Sequence, residues 1–532
     1  MVLTRNKYHF ILSVLFICVF LFSSCADNKD REGGESTLIV GEMSNYEGLN
    51  PMSTTDAHAR DIYNLLFLSL LDENDDFLTF SPRLAHSWEF SDDRRELTFH
   101  LREDVTWSDG RKFTSEDVAA TFRMQVDTST VWSGRHLKEH IDSVEVVDEY
   151  KVVYHFNHIY PYQLMDAVDG PIMPAHIIET TDHGKFGRIP AEELPVTGPF
   201  EIEKWEKGQS LILAANENYY EDNKPRLNRV IFKIIPDQVT LVTQLLDGEI
   251  DCMESVPPAE VEKIKKNNNR LRVFDFPTRA YIYLGWNGAR EPFDNPRVRR
   301  ALTMAIDRKL IIDNLYYGYA EMCCGPFVPL IWAYNPDLEP LPFDPDEAEA
   351  ILREEGYSDE DGDGFLDKNG KRLEFSIITN HGNQIRADIQ VMIQQMLSKI
   401  GVKVNPVLLE WTVMLEKHKA SDFDGIISAW RVGTKADLAP IWSCRARGKG
   451  GYNRVDYCNS EVDSLNKLAT SMLDFEKAKP LFCRAQQIIH DDQPYTFLYI
   501  PHSLFVISKR FGGVEPDAIG IYHYLYDWYA KN

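Results

Sequence analysis

Alternating strand and helix signals predict an α/β protein, and three stretches carry that prediction. In the first, Leu97-Thr98-Phe99-His100-Leu101-Arg102 alternates apolar and polar residues as a half-buried strand does. Ser108-Asp109-Gly110 then supplies turn chemistry, and Thr114-Ser115-Glu116-Asp117 has the pattern of a capping box, opening a helix through Ala119, Ala120 and Phe122. In the second, Phe200 to Trp205, Ser210 to Ala214 and Val230 to Ile235 read as strands ahead of a helix from Val239 to Leu246. The third holds a helix from Val298 to Tyr316, a strand at Leu373 to Thr379 and a long helix from Ile385 to Ile400. Strands near Val402 to Leu409 and Gly425 to Trp430 follow. Such a mixture builds α/β lobes.

Two further elements precede these: a short β-rich run, Thr37-Leu38-Ile39-Val40-Gly41, and an amphipathic helix from Ala57 to Leu71. At 532 residues the chain has material for about three units at the usual ~100–200 residues per domain. Hydrophobic residues make up 44% and charged residues 26%, which excludes a disordered or collagen-like chain. The formal net charge of −25 argues against a nucleic-acid binder, because so negative a surface repels phosphate. Twenty-four tyrosines and ten tryptophans are a generous aromatic supply and hint at a large cleft.

The N-terminus reads as a segment removed before function. Arg5 and Lys7 precede an apolar run from Phe10 to Phe22, too short for the ~20 residues that span a bilayer, and Ser23-Ser24-Cys25 follows. Small residues directly before Cys25 resemble a bacterial lipobox, which implies a signal peptide over 1–24 and acylation of Cys25; an ordinary signal peptide with an incidental cysteine is the alternative. Residues 25–35 are polar and read as a lipid-anchored tether. The remaining cysteines are Cys252, Cys323, Cys324, Cys444, Cys458 and Cys483. Cys444 with Cys458 is the local pair best placed to oxidise in an exported chain, though connectivity stays open, and no C-x-x-C zinc spacing occurs.

Several blocks together resemble the extracytoplasmic solute-binding proteins of peptide and nickel importers. They include Leu84-Ala85-His86-Ser87-Trp88-Glu89, Trp107-Ser108-Asp109-Gly110, Phe113-Thr114-Ser115-Glu116-Asp117-Val118, Thr197-Gly198-Pro199-Phe200 and Asn216-Glu217-Asn218-Tyr219-Tyr220. Leu246-Asp247-Gly248-Glu249-Ile250-Asp251 and Pro292-Phe293-Asp294-Asn295-Pro296-Arg297-Val298-Arg299-Arg300-Ala301-Leu302 complete the set, and the resemblance covers roughly residues 37–510. It implies the two-lobed periplasmic-binding-protein fold of type II with an additional inserted α/β domain, closing around a ligand. By that analogy the first lobe takes 36–57, 191–274 and 499–532, the inserted domain 58–190, and the second lobe 275–498. The implied role is a monomeric, membrane-tethered receptor on the extracytoplasmic side, in the periplasm or at the cell surface. It captures a small peptide or peptide-like solute and hands it to the permease subunits of an ABC importer, with no catalysis and no required cofactor. Receptors of a non-peptide solute, such as a metal chelate, a haem-like compound or an anionic metabolite, are the rival within the same family.

The resemblance also places ligand-binding residues. Peptide-binding relatives hold the ligand amine with an aspartate three residues after a strand-ending tryptophan; here the stretch is Trp430-Arg431-Val432-Gly433, followed by Thr434-Lys435-Ala436-Asp437. With glycine at 433, the amine anchor is absent or shifted to Asp437, and Arg431 suits a carboxylate or other anion. Asp437 as a loop cap and Arg431 as a surface charge are the alternatives. Arg386 lies near where relatives place an arginine for the ligand carboxylate. Trp411 and Trp430 follow or end strands, so one of them is expected on the cleft, against core packing as the commoner fate of a tryptophan.

Two other motifs carry chemistry of their own. His136-Leu137-Lys138-Glu139-His140 matches the H-x-x-E-H pattern of inverted zinc peptidases, an enzyme alternative that needs a third ligand downstream. Asp359, Asp361, Asp363 and Asp367 stand at positions 1, 3, 5 and 9 of a calcium-type loop with Gly364 at 6, but Gly370 replaces the bidentate glutamate at 12. A structural calcium ion and a solvated acidic turn are both open there.

Overall fold

A computed structural model describes residues 36–222, 225–448 and 451–531. Residues 1–35 lie outside it, and with them the signal segment, the tether and Cys25. One twelve-stranded sheet runs through both lobes. In the first lobe Thr37–Glu42 pairs in parallel with Arg229–Ile234 on one side and Cys252–Met253 on the other. Ser210–Ala215 and Phe200–Glu206 extend this half antiparallel. In the second lobe Gly425–Arg431 lies antiparallel to Ala280–Trp286, while Glu374–Asn380 and Lys403–Leu409 continue outward in parallel.

What joins the halves is a 14-residue strand, Tyr495–Ser508. Its start pairs with Ala280–Trp286 and its end with Leu271–Pro277. Burial along it is continuous from Tyr495 to Ile500, relaxes over Pro501, His502 and Ser503, and resumes from Leu504. Those three half-buried residues sit beside the Pro277-to-Ala280 crossing, where Thr278 donates its backbone N–H and its hydroxyl to the Pro501 carbonyl. The chain therefore passes between lobes at two adjacent points, which is the geometry of a hinge. The sequence reading leaves all three of these strands unassigned.

Separate apolar cores fill each lobe. Leu38, Val40, Phe200, Leu213 and Phe505 belong to the first; Leu284, Trp286, Ile377 and Ile427 to the second. A smaller domain carries a four-stranded antiparallel sheet, Ala85–Phe90, Glu96–Leu101, Lys151–Phe156 and Ile141–Asp148 in spatial order. Its own core begins at Leu68 and includes Phe99, Trp107 and Phe113, all fully buried. The Thr114–Asp117 capping box is formed and starts the helix Ser115–Val126.

Two predicted helices differ from the expectation. The helix expected to reach Leu71 is Ala57–Leu66, because Phe67 turns extended and Gly198 packs onto the helix end, donating to the Leu66 carbonyl. A Cβ at Gly198 would lie 2.3 Å from the Leu65 carbonyl oxygen, so only glycine permits this approach. Leu71–Glu73 then forms a hairpin strand with Phe80–Pro82. The span 298–316 is two helices, Pro296–Met304 and Arg308–Tyr316, since the Asp307 side chain accepts from the Leu310 N–H and caps a new start. No helix among the described residues is long and apolar enough to cross a membrane.

Candidate functional site

The parallel strands of both lobes deliver their carboxyl ends to the gap between them, the position where open α/β sheets hold ligands. On the second lobe, Gly425–Arg431 ends in Trp430 and Arg431. Trp430 is fixed from behind: its Nε1–H donates to the Tyr495 hydroxyl at 3.2 Å, and its ring lies parallel to that of Tyr283. Beside it opens a cavity of about 260 Å³ lined by Trp430, Trp442, Tyr452, Phe327, Tyr281 and Ile441, with Arg431, Lys435 and Asp437 adding the charged part of the lining. The chain bordering it is stapled by the Cys444–Cys458 disulfide.

On the first lobe, Thr37–Glu42 ends in Glu42, and Cys252–Met253 runs directly into Glu254. Asp61, on helix Ala57–Leu66, joins them. The three carboxyls reach solvent but are crowded by protein. Burial raises Glu42 to about 7, Asp61's charge adds to this, and the Tyr522 hydroxyl, which donates to Glu42 Oε1, opposes it. Burial raises Asp61 to about 6, against His58, Arg60 and the Arg431 guanidinium of the second lobe. Glu254 is held well above the usual carboxylate range by burial and then by repulsion from Glu42 and Asp61. The mutual influence of Asp61 and Arg431 places the two walls opposite each other.

The smaller domain also touches the second lobe. Tyr162's hydroxyl accepts from the Ala436 N–H at 2.8 Å and donates to the Ala436 carbonyl at 3.3 Å, while Lys435 pairs with the buried Asp166 carboxylate. Asp166 is further held by the Tyr160 hydroxyl at 2.8 Å. The loop that borders the cavity is therefore tied from outside its own lobe.

Of the residues read from sequence, Trp430, Arg431 and Asp437 meet at this cavity. Asp437 Oδ1 accepts from the Ala439 N–H and from Asn466 Nδ2, so one of its oxygens serves the loop. Arg386 stands at the carboxyl end of the neighbouring strand, half-buried, donating to Asn380 Oδ1 at 2.9 Å rather than lining the cavity. Trp411 opens the helix Trp411–Lys419 and is 52% exposed, so it neither packs in the core nor reaches the cavity. Glu42, Asp61, Glu254, Tyr281, Trp442 and Tyr452 are not singled out in the sequence. The one available signal for them is position: Glu42 ends the first β-rich run.

The zinc-peptidase pattern does not assemble. His136 lies in the 3-10 helix Ser133–Lys138 against the Ser133 carbonyl, whereas His140 falls beyond that helix and packs on His158 and Tyr160. Among the described residues the one His/Cys/Asp/Glu group close enough to share a metal ion is Asp359, Asp361 and Asp363, within 4.8 Å of one another. Asp367 does not join it. Arg372 pairs with Asp361 at 3.4 Å and with Asp363, and lies 3.9 Å from Asp367, so a guanidinium already offsets the charge of that loop.

Comparison with known proteins matches residues 79–451 to the family model described as bacterial extracellular solute-binding proteins, family 5 Middle. The oligopeptide-binding protein AppA of Bacillus subtilis is 32% identical, over 96% of each chain. The solved structure of that AppA with a nonapeptide superposes with a TM-score of 0.73 at 30% identity, covering 93% of this chain and 99% of the other. NikZ from Campylobacter jejuni, solved with Ni(L-His), gives 0.74 at 26% identity, covering 93% and 100%.

Proposed function

The chain belongs to the bacterial extracellular solute-binding proteins of family 5, and from that premise we propose that it captures peptides between its lobes and delivers them to the permease of an ABC importer. The observation that carries this reading is the pairing of unlike walls: carboxylates of the first lobe face Arg431 and an aromatic cavity on the second. A peptide has a cationic amine at one end, a carboxylate at the other and side chains between, and it can use both walls at once. The B. subtilis relative solved with a nonapeptide supports the same choice. Closure follows by population shift, since a ligand touching both lobes stabilises the form in which both are engaged. The reading includes a monomer held to the envelope through acylated Cys25, and no catalytic step.

Gly433 favours one second reading, a metal chelate, because the amine-anchoring aspartate of peptide-binding relatives is missing at that position. The test is native mass spectrometry of the protein as purified from its own cells. Peptide masses released on denaturation are expected. A nickel–histidine complex, with no peptide in any preparation, would replace the first reading by the second.

A further inference from the structure

The cavity beside Trp430 has a more selective chemistry than peptide binding requires. Trp430 and Tyr452 meet edge to face with ring centroids 6.0 Å apart. Trp442 is 1% exposed and is backed by Tyr495 and Tyr457 at 4.7 and 5.9 Å. Pro326 and Pro440 add stiff backbone to the lining. Rings held this way cannot swing aside to fit any shape, so the space favours a flat guest over a branched one. Its 260 Å³ is room for about nine waters at ~30 Å³ each, and falls below the ~300–1,000 Å³ of pockets that enclose a whole drug-sized ligand. It is sized for a part of a ligand.

One polar group in that wall lacks a partner. Tyr281 is 1% exposed, and its hydroxyl makes no hydrogen bond. An unpaired buried hydroxyl is costly, and structures keep few of them without a use. Resting on the peptide reading above, we infer that this cavity is a side-chain pocket for an aromatic residue carrying a polar atom, tyrosine or tryptophan, whose hydroxyl or indole N–H pairs with Tyr281. Phenylalanine fills the same slot but leaves Tyr281 unpaired, and aliphatic side chains forfeit the ring contacts as well. Sites built around a hydrogen bond discriminate against analogues that lack it, since the unpaired group is then paid for in the complex.

The experiment offers the full-length protein an equimolar mixture of alanine pentapeptides with one Tyr, Trp, Phe or Leu at each position in turn, and reads the bound fraction by mass spectrometry. Tyr and Trp peptides are expected to exceed Leu peptides by about tenfold, and Tyr to exceed Phe by about five- to tenfold, the size of one added hydrogen bond. Tyr281→Phe should bring Tyr and Phe peptides to parity, hold Phe binding within about twofold, and leave the unfolding midpoint unchanged or higher. Tyr452→Ala, at a 55% exposed position, should weaken every aromatic peptide with folding intact. Equal binding of Leu and aromatic peptides would overturn the pocket while leaving the peptide receptor standing. A Tyr-over-Phe preference unaltered by Tyr281→Phe would also overturn it. Binding of no peptide at all would sink the pocket together with the reading it rests on.

Discussion

The two walls of the cleft are made from the same kind of element and finish differently. On each lobe strands end at the gap, but the first lobe finishes them with Glu42 and Glu254 and the second with Trp430 and Arg431. Burial acts on both. On the first wall it crowds carboxyls until they hold their protons near neutrality; on the second it packs rings around a cavity. The difference teaches how a ligand must be oriented. A cationic group relieves the repulsion among Glu42, Asp61 and Glu254, while rings and anions suit the opposite side. A molecule that satisfies one wall alone gains little from bringing the lobes together, because only differential contacts shift the equilibrium.

The largest expected effect comes from loosening the second wall. Cys444 and Cys458 are 14 residues apart and close the chain that carries Tyr452 beside the cavity. Replacing both by serine should cost about 3 kcal/mol of stability by loop-closure entropy, read as a lower denaturation midpoint in urea. Affinity for ligands that need only the first wall should change far less than affinity for aromatic ones. An unchanged midpoint would show that the wall stands without its staple.

Next in size is the first wall itself. Glu42→Gln with Glu254→Gln should weaken peptides bearing a free amine by about 10- to 100-fold, the range of one charge-assisted hydrogen bond, and leave N-acetylated peptides nearly unaffected. Calorimetry with matched free and acetylated peptides separates the two. Equal loss for both would mean that the carboxylates hold the fold rather than the ligand.

Much of the fold is legible in the sequence because its signals are local. Thr114 caps its helix, the alternation at 97–102 marks a strand, and each of these survives folding. The hinge is less legible. Tyr495–Ser508 is apolar over most of its length because both of its ends are buried in different lobes, and nothing in its own pattern says that Pro501 marks the crossing. The site divides in the same way. Trp430, Arg431 and Asp437 are neighbours in sequence and can be read together, whereas Glu42, Asp61 and Glu254 come from three distant segments and acquire their raised pKa values only once folding has crowded them. Arg386 and Trp411 lie at the correct ends of their strands, but side-chain direction, which spacing alone does not settle, keeps them off the cavity.

A smaller effect should appear with pH. The unfolded chain releases protons from its glutamates near 4.5, whereas folded Glu42 keeps its proton to about 7 and Asp61 to about 6. Over that window the folded state binds more protons, so the ligand-free protein should lose stability as pH rises from about 4.5 to 7. Affinity for amine-bearing peptides should rise over the same window, because the wall gains charge while an α-amine stays protonated up to about 7.7–8. The groups that bear on this cluster are Tyr522, Tyr46, His58, Arg60 and Arg431. Melting temperature against pH, compared between the wild type and Glu42→Gln, measures it. A variant with the same slope as the wild type would assign the dependence elsewhere.

The smallest expected effect tests the asymmetry most directly. Gly433 is exposed, its backbone is outside the left-handed region, and a Cβ there would meet only the Lys435 carbonyl at 3.9 Å, so Gly433→Asp should fold without strain. It restores to the second wall the residue type with which peptide-binding relatives hold the ligand amine. If the amine is already received by Glu42 and Glu254, the new carboxylate has Arg431 and Lys435 nearby and gains an exposed ion pair worth at most about 1 kcal/mol. Free-amine affinity relative to the acetylated peptide should then move by less than about threefold. A tenfold gain would place the amine on the second wall, and the orientation drawn from the first would have to be reversed.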